Sequence, residues 1–188
     1  MATETQVRLT EEEYLALEEK SECKHEYLNG EIFEMPGATQ PHLRLSMKIN
    51  RRLSEQLEGS ECEPYASDCR VRVEAGGLYT YPDLVVACRE ATFLDAAVGT
   101  LVNPTLILEI LSPSTEAYDR GRKFEHYRKI AALQEYVLVD QSSMKIEVFR
   151  RQPDGTWLLH VYTEPTDEAR LESIGCSLKL ADVYAGVF

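Results

Sequence analysis

Apolar positions recur every four residues between Pro41 and Leu57, at Leu45, Ile49, Leu53 and Leu57, and predict one long amphipathic helix. Arg44, Lys48, Arg51 and Arg52 form a basic stripe beside that apolar face. A shorter helix is predicted in "TEEEYLALEEK", where Thr10 followed by Glu13 has capping-box spacing. Next comes "HEYLNGEIFEM", two alternating runs around Asn29-Gly30, and a type I′ hairpin turn needs positive φ at both of those positions. "DCRVRVEAGGLYT" reads as a strand running into a glycine turn, and "YPDLVVAC" as a strand with proline at its start. "REATFLDAAVGTLVN" has neither period and is expected to be irregular. Beyond it lie a strand "TLILEIL", a helix from about Glu116 to Ala131 with Ser114 and Thr115 as caps, and a strand "QEYVLVD". A hairpin around Pro153-Asp154-Gly155 and a final short strand or helical turn close the chain. Helices early and in the middle, with strands between and after, predict a mixed α/β sheet in one domain spanning 1–188.

Composition narrows the function classes. The net charge of -12 and pI near 4.8 oppose a protein that coats nucleic acid, whose footprint is basic. Most of that excess is local: the first forty residues carry ten acids against three bases, Arg8, Lys20 and Lys24. Arg120, Arg122, Arg128 and Lys129 make the later helix basic, so a local patch for a polyanion remains available. Five scattered cysteines (Cys23, Cys62, Cys69, Cys88, Cys176) without a CxxC pair argue against a zinc knuckle or disulfide framework and fit a reducing cytoplasm. No apolar run approaches the roughly 20 residues of a membrane span, and the acidic N-terminus is not expected to be a secretory signal.

Two acids are conspicuous. Asp83 opens the strand of "YPDLVV", and Glu109 lies inside the aliphatic run "LILEIL", where an ionised carboxylate costs several kcal/mol to bury without a partner. A buried arginine can answer Glu109, and an ordinary Pro-Asp turn can account for Asp83. If the two strands are neighbours, the carboxylates form a pair suited to Mg²⁺ or Mn²⁺. Lys123, on the helix behind the Glu109 strand, can offset charge on a bound phosphate. It can equally be a surface i,i+4 partner of Asp119. Tyr127, one turn on, suits core packing or support of a site.

"YPDLVV", "PTLILEILSPST", "DRGRKFEHYRK" and "QEYVLVD", in that order, resemble the Uma-type family of restriction-endonuclease-like proteins within the PD-(D/E)XK nuclease superfamily. The resemblance covers nearly the whole chain. It implies a restriction-endonuclease-like core, a central mixed β-sheet flanked by helices with additional β-hairpins. It implies that Asp83 and Glu109 ligate a divalent metal, Mg²⁺ or Mn²⁺, with Lys123 as the catalytic cation. It also points to Glu26 in "HEYLNGE", as an extra ligand or as the residue orienting Lys123, and to His42 in "QPHLRLS", near phosphate or water. One position departs from the superfamily pattern: the lysine expected two residues after the glutamate is Leu111, and Lys123 is the natural substitute.

The expected function is a metal-dependent endonuclease hydrolysing DNA through a metal-activated water. It is expected to act as a homodimer, because cutting both strands of a duplex needs two sites. The alternatives are a catalytically degenerate nuclease fold serving as a dimerisation or nucleic-acid-binding module, and a phosphodiesterase acting on RNA.

Overall fold

The computed structural model describes residues 8–94 and 99–188. Helix α1 (Glu11–Glu18) begins with the expected capping box: the Thr10 hydroxyl accepts from the Glu13 N–H at 3.2 Å, and the Glu13 carboxylate accepts from the Thr10 N–H at 2.8 Å. Strands β1 (His25–Leu28) and β2 (Glu31–Glu34) meet at Asn29-Gly30, where φ is 49° and 99°. Asparagine and glycine tolerate that left-handed conformation, so the hairpin lies where its turn chemistry puts it. With β4 (Arg70–Val73), β5 (Leu78–Thr80) and β7 (Thr100–Leu101) it forms a five-stranded sheet of order β2-β1-β5-β4-β7. β7 corrects the irregular reading of its segment, since two residues parallel to β4 are too few to show an alternation. The rest of that segment, residues 95–98, lies outside the described residues.

The larger sheet has the order β11-β10-β9-β8-β6-β3. Its strands are β3 (Cys62–Ala66), β6 (Leu84–Cys88), β8 (Leu106–Leu111), β9 (Glu135–Asp140), β10 (Ile146–Arg151) and β11 (Trp157–Tyr162). β8 and β9 run parallel and the other neighbours antiparallel, which makes the sheet mixed. Edge strand β3 carries Glu63 and Pro64 and escaped the pattern analysis; proline is tolerated where a strand has one free side. The central strand β8 is buried on both faces, so it reads as an almost unbroken apolar run. Leu106, Leu108 and Ile110 pack with Leu45, Ile49, Leu53 and Leu57 of α2 (Gln40–Leu57). Ile107 and Leu111 face the opposite way, into a second core with Tyr127, Leu133, Tyr136 and Leu138. A closing hairpin, β12 (Glu168–Leu171) and β13 (Cys176–Lys179), followed by α5 (Leu180–Tyr184), joins the α2 side of the core. The architecture is mixed α/β, with mixed sheets flanked by helices.

Two expectations are overturned. The helix after β8 ends at Tyr127, and its middle turn is π-helical: α3 (Glu116–Tyr118), Asp119–Lys123, then α4 (Phe124–Tyr127). A π-turn inserts one residue into the ladder, which propensity does not signal. Cys62 and Cys88, expected to stay thiols, face each other across the β3–β6 ladder and are joined as a disulfide. That pairing removes the thiol argument for a reducing cytoplasm. Among the described residues no helix is long and apolar enough to cross a membrane.

Candidate active site

The register of β6 against β8 pairs Leu84 with Leu108, so one step further along Asp83 faces Glu109. Each carboxylate is tied to the other's strand. Asp83 Oδ2 accepts the Ile110 N–H at 2.7 Å, and the Asp83 N–H lies 3.4 Å from Glu109 Oε2. His42, in the first turn of α2, has its N–H 3.4 Å from the capping Thr39 hydroxyl, and its Nε2 lies 3.1 Å from Asp83 Oδ1. The local cap and the contact with Asp83 therefore coexist.

Glu109 shares its face of β8 with Ile107 and Leu111 and points at the helical stretch 116–127. Lys123 meets it there. The Lys123 amine lies 2.9 Å from Glu109 Oε1, 2.9 Å from Glu26 Oε1 and 3.5 Å from Asp119 Oδ1. The surface ion pair with Asp119 is thereby corrected: Lys123 is 5% exposed and Asp119 3%, so the pair is interior. The spacing looks the same in either setting, and the packing of Tyr127 and Phe124 under the helix turns this face inward. Tyr127, besides filling the core, donates its hydroxyl to Glu109 Oε1 at 2.8 Å. Leu111, where the superfamily pattern has lysine, is 2% exposed and packed among apolar neighbours, and Lys123 brings its charge to the same carboxylate from the helix.

Three acids surround one buried cation, and this governs the proton balance. Burial pushes the Glu109 carboxyl up to about 8; Lys123 pulls it down, while Asp119 and Asp83 push it further up. Burial likewise raises Asp119. Burial alone would lower the Lys123 amine, but Glu109, Tyr127, Glu26 and Asp119 outweigh that and hold it well above its usual range. Lys123 is therefore a fixed ammonium.

Asp83, Glu109, Lys123, Glu26 and His42 all line one cavity of about 450 Å³, together with Ser112, Thr115, Tyr118 and Asp119. All five residues singled out in the sequence come together there. Asp119 as an interior member, Tyr118 on the wall and Thr80 behind Glu26 were missed; of these, Asp119 alone falls inside the stretches that carry the family resemblance, in "DRGRKFEHYRK". The basic stripes hold less free charge than their sequence suggests. Arg51 pairs with Glu55, Arg52 with Asp182, Arg120 with Glu116 and Glu147, and Arg44 donates to the Gly186 carbonyl. Arg122, Arg128 and Lys129 remain exposed.

The family model described as "Putative restriction endonuclease", Uma2, matches residues 11–181. The chain belongs to the Uma2 family. Two relatives come from Synechocystis sp. (strain ATCC 27184 / PCC 6803 / Kazusa). The uncharacterized protein slr1290 is 37% identical over 184 residues, covering 96% of this chain and 93% of its own length. The uncharacterized protein sll1609 is 37% identical over 159 residues, covering 85% and 90%. The fold also matches the crystal structure of "a putative nuclease belonging to DUF820" from Anabaena variabilis ATCC 29413, with a TM-score of 0.78 at 20% identity, over 96% of this chain and 99% of that one. Within the Uma2 fold, then, the strand-paired acids and the helix-borne lysine lie on the wall of a single cavity.

Proposed function

We propose that this chain is a divalent-metal-dependent endonuclease that hydrolyses phosphodiester bonds of duplex DNA and works as a homodimer. One observation carries the reading: Asp83 and Glu109 face each other across neighbouring strands, and the Lys123 ammonium lies 2.9 Å from Glu109 on the wall of the same cavity. Membership of the Uma2 family supports it.

The donor set fits Mg²⁺ or Mn²⁺. Asp83 and Glu109 offer hard oxygen donors only, and they face each other across neighbouring strands. Mg²⁺ suits such a pair, because it keeps several waters and shares its remaining positions with phosphate. When bound, the ion supplies Lewis-acid polarisation of the phosphate and lowers the pKa of the attacking water. The protein's side chains do the remaining work. Asp83, held by the Ile110 N–H and by His42, keeps one ligand oriented; Glu109, held by Tyr127 and Lys123, keeps the other. Lys123 offsets negative charge developing on the phosphate, and Glu26 and Asp119 keep it protonated and in place.

The test is incubation of supercoiled plasmid, linear duplex and RNA with purified protein and Mg²⁺. Nicked and linear plasmid that disappears with EDTA is expected. Equal activity from a mock purification would sink the reading, and cleavage of RNA alone would move it to the RNA alternative. Tyr127→Phe deletes the hydroxyl on Glu109 but keeps the ring, and should weaken Mn²⁺ binding about tenfold by calorimetry.

Metal binding should also depend on pH. Burial pushes the Glu109 carboxyl up to about 8, and a carboxylate must lose its proton to ligate. Below that pH the ion displaces a proton, so Mg²⁺ affinity should rise by up to about tenfold per pH unit toward 8 and level off above it. Calorimetry in two buffers of different ionisation enthalpy reads both the slope and the released proton. A flat profile would mean that no carboxyl raised into this pH range ligates the ion.

A further inference from the structure

Thr80 ends β5 and is fully buried, with 0% of its surface exposed. A valine would satisfy the strand and the packing there, so the hydroxyl calls for its own account; a buried O–H without a partner costs about 1–3 kcal/mol. β5 pairs with β1 through Tyr79–Tyr27, and one step further along Thr80 faces Glu26. Its hydroxyl donates to Glu26 Oε1 and lies 3.4 Å from the Tyr127 hydroxyl. The contacts form a chain. Thr80 donates to Glu26, Glu26 meets Lys123 at 2.9 Å, Lys123 meets Glu109 at 2.9 Å, and Glu109 accepts from Tyr127 at 2.8 Å. This chain joins the smaller sheet, which carries Glu26 and Thr80, to the larger sheet and the helical stretch that carry Glu109, Lys123 and Tyr127.

We propose that Thr80 is a positioning residue: its hydroxyl fixes the Glu26 carboxylate, which holds the Lys123 ammonium against Glu109. The proposal rests on the nuclease reading for its catalytic consequence, but the placement of Lys123 is a property of the metal-free protein. Glu26 Oε1 is shared between the Thr80 hydroxyl and the Lys123 amine, so the hydroxyl selects which oxygen faces the lysine. Without it, Glu26 keeps only Tyr118 and Lys123 as polar partners, nothing from the strand fixes which oxygen faces the lysine, and one of the two close anchors of Lys123 is loosened.

Thr80→Val keeps the shape and deletes the hydroxyl; Thr80→Ser keeps the hydroxyl. Two measurements test the role, with the fold of each variant checked by circular dichroism. The first is acylation of Lys123 by acetic anhydride in metal-free protein, followed by peptide mass spectrometry. T80V should label about tenfold faster than wild type and T80S at close to the wild-type rate. The second is steady-state cleavage of duplex DNA with Mg²⁺. T80V should lower kcat about tenfold while leaving KM within about twofold, and T80S should restore kcat. Wild-type labelling of Lys123 in T80V overturns the proposal, as does an unchanged kcat in an active enzyme. Faster labelling with no cleavage by any variant leaves the positioning role standing and removes the nuclease reading, so the two fail separately.

Discussion

Glu109→Gln is expected to lower Mg²⁺-dependent cleavage by about 10²–10³-fold while leaving the protein folded. Glutamine keeps the volume of the side chain and an acceptor oxygen for the Tyr127 hydroxyl and the Lys123 amine, both of which now meet Glu109 Oε1. What it removes is the negative charge that a divalent ion would neutralise. Lys123 retains Glu26 and Asp119, so no buried cation is left without a counter-charge. Burial in the folded chain pushes the glutamate carboxyl up to about 8, so the folded state loses stability through this group as pH climbs toward that value. The neutral amide escapes that cost, and E109Q should unfold in urea at or above the wild-type midpoint near pH 8. Initial cleavage rates together with urea melts separate this result from simple misfolding. A folded E109Q protein that cleaves at the wild-type rate would mean that Glu109 does not hold the metal on which cleavage depends.

Sequence pattern reached the site through β-register more than through propensity. The four leucine and isoleucine positions of α2 and the apolar run of β8 specify which faces meet, and antiparallel pairing of β6 with β8 then brings Asp83 to Glu109. Both strands are buried on both faces, so a carboxylate within or beside them stands out. The Lys123–Asp119 pair did not stand out. An i,i+4 acid–base pair has one appearance in sequence and two fates, and long-range packing of Phe124 and Tyr127 decides between them. β7 is two residues long, β3 is polar on an edge, and the π-turn carries no compositional mark. Thr80 was invisible for a related reason, since threonine is an ordinary strand residue until its partner Glu26, fifty-four positions away, is brought opposite it. The disulfide depends on cross-strand register as well, and scattered cysteine counts do not contain it.

Lys123→Met should be the most destabilising single change at this site, costing about 3–5 kcal/mol near pH 8. The methionine stem fills much of the same space, so the loss is electrostatic. Glu26, Glu109 and Asp119, each less than a tenth exposed, would face one another without the ammonium that now lies within 3.5 Å of all three. Lys123 lowers the carboxyl pKa of both Glu109 and Asp119, and removing it lets burial and mutual repulsion push both further up. The sign of the pH dependence follows. Carboxyls whose folded pKa lies above the unfolded value bind more protons folded than unfolded, so their full stability is present below the unfolded value, 4.5 for Glu109, and is lost as pH rises. K123M should therefore come closest to wild type near pH 5 and fall furthest behind it near pH 8, a divergence that urea melts at both values would read directly. Adding Glu109→Gln to K123M should recover part of the loss at high pH, because one of the three unpaired charges is gone. A K123M protein as stable as wild type near pH 8 would mean that the ammonium is not what holds these acids in the interior, and Lys123 would then be free to serve the phosphate alone.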